Sequence, residues 1–236
     1  MDSRAFRRTM KILEKRYPVL DWSRGMTPFE ALISTVLSQS TTAVNERRGL
    51  EGLRRAFREI TPERLASADV DEIARSIWHA GLARQKAPRI RRIAATVLEQ
   101  WDGHVETILA LPTERARAAL QELPGVGPKT ADVVLAMAGG HPTFPVDTHI
   151  ARIARRWDLV RSRNYESIRA ALERRTPPAK RKAWHLAIIE HGRTLCKARR
   201  PRCEECPVRR DCDWYRRHRA ARPSGSRRSA RRATKD

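Results

Sequence analysis

Residues 123–140 read LPGVGPKTADVVLAMAGG. Glycines 125 and 127 flank one valine, Lys129 follows almost at once, and a long apolar run begins at Ala131. The glycines free the backbone for conformations closed to residues with a Cβ and let it approach a partner closely. Their N–H groups, with those opening the next helix, form a concave donor set that suits a phosphate oxygen. The bland reading is a plain turn between two packed helices; the other two are a phosphate grip and a seat for a nucleophile.

Working outward, the pattern stays helical. The segment ERARAALQEL (114–123) leads into the hairpin, and Thr130–Ala138 is apolar nearly all round, so a buried helix is expected. Thr27, Pro28 and Glu30 spell a capping box with proline at the first helical position, and Thr61-Pro62-Glu63 repeats the start signal. Between 71 and 101 two helices are expected. Ile73, Ile77 and Trp78 line the first, Ile90, Ile93 and Val97 the second, and Gly81 stands where a left-handed cap is wanted. DTHIARIARRWDLV, YESIRAALERR and KAWHLAIIEHGRTLC add three more. No stretch reads as a strand, so the fold class is all-α.

The chain has 236 residues, 49 Lys or Arg against 27 Asp or Glu, and a net charge of +22. Residues 216–236 carry nine of those cations and one Asp, a net +8, which leaves +14 elsewhere. Polyanion binding follows, because neutralising phosphates releases condensed counterions; a GC-rich genome that inflates arginine is the bland alternative. No run approaches a membrane span. MDSRAFRRTMKILEKRY lacks an apolar signal core, so a cytoplasmic, nucleoid-associated monomer with no membrane contact is expected.

Lys129 falls in the first turn of a buried helix, where the helix dipole and desolvation both disfavour the ammonium form. An amine so placed can act as a nucleophile near neutral pH. Eighteen residues on, Asp147 precedes a helix. Taken singly, Lys129 is a phosphate contact and Asp147 an N-cap. All four cysteines lie at 196, 203, 206 and 212. This spacing suits tetrahedral zinc or a 4Fe-4S cluster equally.

LPGVGPKTADVVL followed by VDTHIARIARR resembles the endonuclease III family of the helix-hairpin-helix DNA glycosylase superfamily. The likeness runs from EALISTVLSQSTTA through GLARQKA to the cysteines, over residues 25–215. It implies two helical lobes with a DNA-binding cleft between them: a six-helix domain at 23–141 and a cluster domain at 1–22 with 142–215. Residues 216–236 are expected to be a disordered basic tail. Lys129 and Asp147 become the catalytic pair, and Cys196, Cys203, Cys206 and Cys212 the ligands of a 4Fe-4S cluster. The implied activity is base-excision-repair glycosylase with AP lyase, on oxidised pyrimidines or abasic sites in double-stranded DNA. The implied DNA contacts are Gly125 and Gly127, and Lys197, Arg199, Arg200 and Arg202 of the cysteine loop.

A glycosylase must also extrude its target nucleotide and fill the gap. The resemblance points to Ser38–Thr41, where many relatives carry glutamine at the position of Ser40 and Gln39 lies one residue earlier. Leu82 matches a wedge position, with Arg84 and Lys86 beside it as phosphate contacts. Asp132 stands where the family commonly has asparagine. His149 and His185 are expected to make structural hydrogen bonds. Two other functions stay open: a glycosylase for mismatched or alkylated bases, and a non-catalytic DNA-binding module with a structural metal.

Overall fold

The structure, a computed structural model, describes residues 1–18 and 21–220. Thirteen α-helices and no strand occur among the described residues. They are α1 (Ser3–Arg16), α2 (Pro28–Leu37), α3 (Ala43–Phe57), α4 (Pro62–Ser67), α5 (Val70–Ser76), α6 (Ala83–Trp101), α7 (Val105–Leu109) and α8 (Thr113–Glu122). Then come α9 (Pro128–Met137), α10 (Thr148–Arg156), α11 (Tyr165–Glu173), α12 (Arg181–Thr194) and α13 (Asp213–Ala220). None is long and apolar enough to cross a membrane.

The start signals work as their chemistry predicts. The Thr27 hydroxyl accepts from the Glu30 N–H at 3.1 Å, and the Glu30 carboxylate accepts from the Thr27 N–H at 3.2 Å. Thr61 caps α4 through the Arg64 N–H. Two large apolar cores result, with a small third cluster of Val133, Ala136 and Met137 against Leu186 between α9 and α12. One gathers residues from Phe29 to Leu135 on α2 to α9. The other joins Phe6, Met10 and Leu13 of α1 to residues between Phe144 and Cys212. The N-terminal amine ties α1 down, donating to Asp213 at 2.7 Å and to the Trp157 carbonyl at 3.1 Å. The chain thus forms two helical lobes, and α9 hands over to α10 where they meet.

Three local expectations fail. Trp78 does not line the core: it falls on a 3₁₀ turn (Trp78–Ala80) after α5 ends, and is 70 % exposed. Gly81 (φ +69°, ψ 155°) is not the left-handed cap; Leu82 (φ +53°, ψ 32°) takes that conformation. Residues 216–220, expected in the tail, continue α13, while 221–236 lie outside the described residues.

Candidate active site and cysteine cage

The hairpin joins α8 to α9, and its two glycines are needed for different reasons. Gly125 has φ +74°, and a Cβ there would stand 2.4 Å from the Arg89 side chain, which lies across it. Gly127 has an ordinary φ of −87°, and a Cβ there would meet nothing. Nothing among the described residues requires glycine at 127. Gly127 is also the N-cap of α9 and offers no side-chain cap, leaving N–H donors of the first turn open at the positive end of the dipole.

Lys129 follows in that first turn, half-buried, and every residue from Thr130 to Met137 is buried. Burial pushes the Lys129 pKa below its ordinary value; Asp147 opposes the shift and Arg193 adds to it. Asp147 caps α10, one carboxylate oxygen accepting from the Ile150 N–H at 2.8 Å. That bond orients the carboxylate and leaves its second oxygen available. Capping Ile150 thus does not use up the Asp147 carboxylate. His185 is 2 % exposed, and burial pushes its pKa down to about 4. It hydrogen-bonds the Pro145 carbonyl at 2.9 Å, the structural bond expected for it. His149 accepts from Arg152 at 3.0 Å.

Asp132 is wholly buried on the same helix, where two Arg117 nitrogens reach its carboxylate at 3.0 and 3.3 Å. The Tyr165 hydroxyl donates to it at 2.6 Å and accepts from the Val146 N–H at 3.4 Å. Tyr165 of α11 therefore links the helix that bears Lys129 to the segment that leads into Asp147. Sequence reading missed Arg117 and Tyr165. The available signal was a lone aspartate inside an apolar helix, which demands a buried partner.

The Ser38–Thr41 loop departs from expectation. Gln39 turns onto the hairpin, its amide nitrogen donating to the Gly125 carbonyl (3.3 Å) and Thr130 hydroxyl (3.2 Å), its oxygen accepting from Arg89 (3.0 Å). Ser40 is exposed with φ +56°, and Leu82 is 50 % exposed. Lys86 is no phosphate contact: it is 2 % exposed, and its ammonium donates to the Leu37 and Ala80 carbonyls at 2.7 and 2.9 Å. Arg84 is exposed.

Cys196, Cys203, Cys206 and Cys212 ring a cavity of about 350 Å³, open mouth included, together with Arg156, His191 and Trp214. Arg156 donates to Cys196 Sγ at 3.1 Å and to the Lys197 carbonyl at 2.8 Å, which organises the loop. Four thiols lining one cavity are the soft donor set that a 4Fe-4S cluster or a zinc ion takes. On the loop, Lys197, Arg199 and Arg200 are exposed. Arg202 is not free as expected; it is paired with Glu205 through bonds of 2.8 and 2.5 Å.

Residues 196–212, which contain all four cysteines, match the iron-sulfur binding domain of endonuclease III, and the cofactor is a 4Fe-4S cluster. Residues 33–178 match the HhH-GPD superfamily of base excision DNA repair proteins. Endonuclease III of Thermotoga maritima is 37 % identical over 80 % of this chain and 84 % of its own length. That of Escherichia coli K12 is 36 % identical over the same shares. A solved structure of a trapped endonuclease III–DNA covalent intermediate superposes with a TM-score of 0.81 at 29 % identity, covering 93 % of this chain and 99 % of that one. The chain belongs to the HhH-GPD superfamily of base excision DNA repair proteins, and within it to the endonuclease III family.

Proposed function

We propose that this chain removes oxidised pyrimidines from duplex DNA and nicks the resulting site, with Lys129 as nucleophile and Asp147 as its carboxylate partner. The observation that carries the reading is the half-buried Lys129 amine, held in the first turn of α9 within the field of Asp147. Breaking a glycosidic bond builds positive charge on the sugar, which a fixed carboxylate stabilises. The neutral Lys129 nitrogen attacks C1′, the base departs with the glycosidic electron pair, and the sugar ring opens to an imine. The imine acidifies C2′, so loss of that proton expels the 3′ phosphate. Asp147 offers its uncapped oxygen for these proton transfers.

The N–H groups around Gly125 and Gly127 hold backbone phosphate, with Lys197, Arg199 and Arg200 as a second grip and Arg202 bracing its own loop. When bound, the cluster supplies a rigid cross-link that sets this loop's shape. Ser40 and Leu82 enter the duplex, while Gln39 supports the hairpin. The domain limits are 23–141 against 1–22 with 142–220, the second now taking in all of α13, in a monomer working at the nucleoid.

Borohydride trapping tests the assignment: lesion DNA should give a covalent adduct that Lys129→Ala abolishes, and an adduct undiminished in that variant overturns it. Asp147→Asn should slow single-turnover cleavage about 10²–10³-fold, the scale for removing one electrostatic stabiliser. The short Ser40 and tethered Gln39 support a second substrate reading, a mismatched or alkylated base. Relative turnover on a panel of lesion duplexes decides between them. A non-catalytic binding module does not account for an amine half-buried within the field of a carboxylate.

A further inference from the structure

Lys86 has a buried cation's desolvation cost and no role in the chemistry above. Its ammonium bonds two neutral carbonyls, Leu37 O at 2.7 Å and Ala80 O at 2.9 Å, which lie 49 and 6 residues away in sequence. Leu37 is the last residue of α2, so its carbonyl is one of the orphan acceptors of a helix C-terminus, where a cation is favoured. Ala80 closes the 3₁₀ turn. Each carbonyl therefore sits at the root of a segment read above as entering DNA: Ser38–Thr41 follows Leu37, and Gly81-Leu82 follows Ala80. A Cβ at Gly81 would stand 4.0 Å from the Thr41 hydroxyl, so the two segments also abut. At their tips Ser40 (φ +56°) and Leu82 (φ +53°) hold left-handed backbone that non-glycine residues adopt only when their surroundings impose it.

We propose that Lys86 is a positioning residue for duplex opening: one buried ammonium fixes the roots of both DNA-entering segments, so that Ser40 and Leu82 act as a single rigid wedge. Such a role uses the strength of charge-assisted bonds to carbonyls and explains why a lysine, rather than an apolar side chain, fills this site. The proposal rests on the reading of these two segments as the duplex-opening elements.

The test compares two rates for holoenzyme: single-turnover cleavage of a lesion in duplex DNA, and borohydride trapping on an abasic site in single-stranded DNA, which has no stacked partner strand to open. Lys86→Met should lower the ratio of duplex to single-strand rates about tenfold or more, the effect of one lost charge-assisted hydrogen bond. Equal losses on both substrates, or no change on the duplex, overturn the proposal. Should Lys86→Met not fold, Lys86→Arg and Lys86→Gln face the same comparison, and failure of all three to fold assigns Lys86 to stability alone and also overturns it. Leu82→Ala reports on the underlying reading: it lowers the ratio if these segments open the duplex. A normal ratio in Leu82→Ala rejects that reading, whatever Lys86 does.

Discussion

The helix that carries Lys129 and the loop that carries the cysteines both offer basic groups at the surface, yet they are held by opposite means. Every residue of α9 from Thr130 to Met137 is buried. Between Cys196 and Cys212 only Val208 and Cys212 are buried, and no α-helix forms. The first region is placed by burial against neighbouring helices and by one buried ionic knot. The second has too little apolar surface to fold by itself and needs ligand bonds, aided by Arg156. The lesson is that a site can borrow rigidity from a core or from a cofactor, and each source fails differently.

The largest expected effect breaks the cofactor side of that contrast. Cys206→Ser should lose the cluster, and hydrogen exchange should become fast across 196–212 while α9 stays protected. Uniform loss of protection in both regions would mean that the loop is not a separate cofactor-held unit. Next comes the ionic knot. Arg117→Ala strands the buried Asp132 carboxylate and should cost about 3–5 kcal/mol in denaturant unfolding, with Arg117→Ala/Asp132→Asn recovering part of it. The hairpin glycines give the smallest and sharpest contrast. Gly125→Ala imposes strain at φ +74° and a clash with Arg89, for about 1–3 kcal/mol of stability. Gly127→Ala should leave the melting temperature unchanged and weaken duplex affinity instead, read by fluorescence anisotropy at fixed salt.

Much of this was legible in one dimension because helix signals are local. The capping box at Thr27–Glu30, the apolar run after Lys129 and the four clustered cysteines each declare themselves within a few residues. Trp78 misled because α5 ends two residues before it, and the helical period no longer points its ring inward.

What the amino-acid order alone determined, then, is most of the helices, though not α3, α7 or α13, together with the hairpin, the cluster of four cysteines and the candidate pair Lys129 and Asp147. Only the tertiary structure decided that Lys86 is buried on two carbonyls, that Gln39 is tied to Arg89 fifty residues away, and that Tyr165 reaches Asp132 across 33 positions. The reason is physical. A cap or a helical face is set by neighbours three or four residues apart, whereas a buried polar group must be satisfied by whatever the folded chain brings within hydrogen-bond reach.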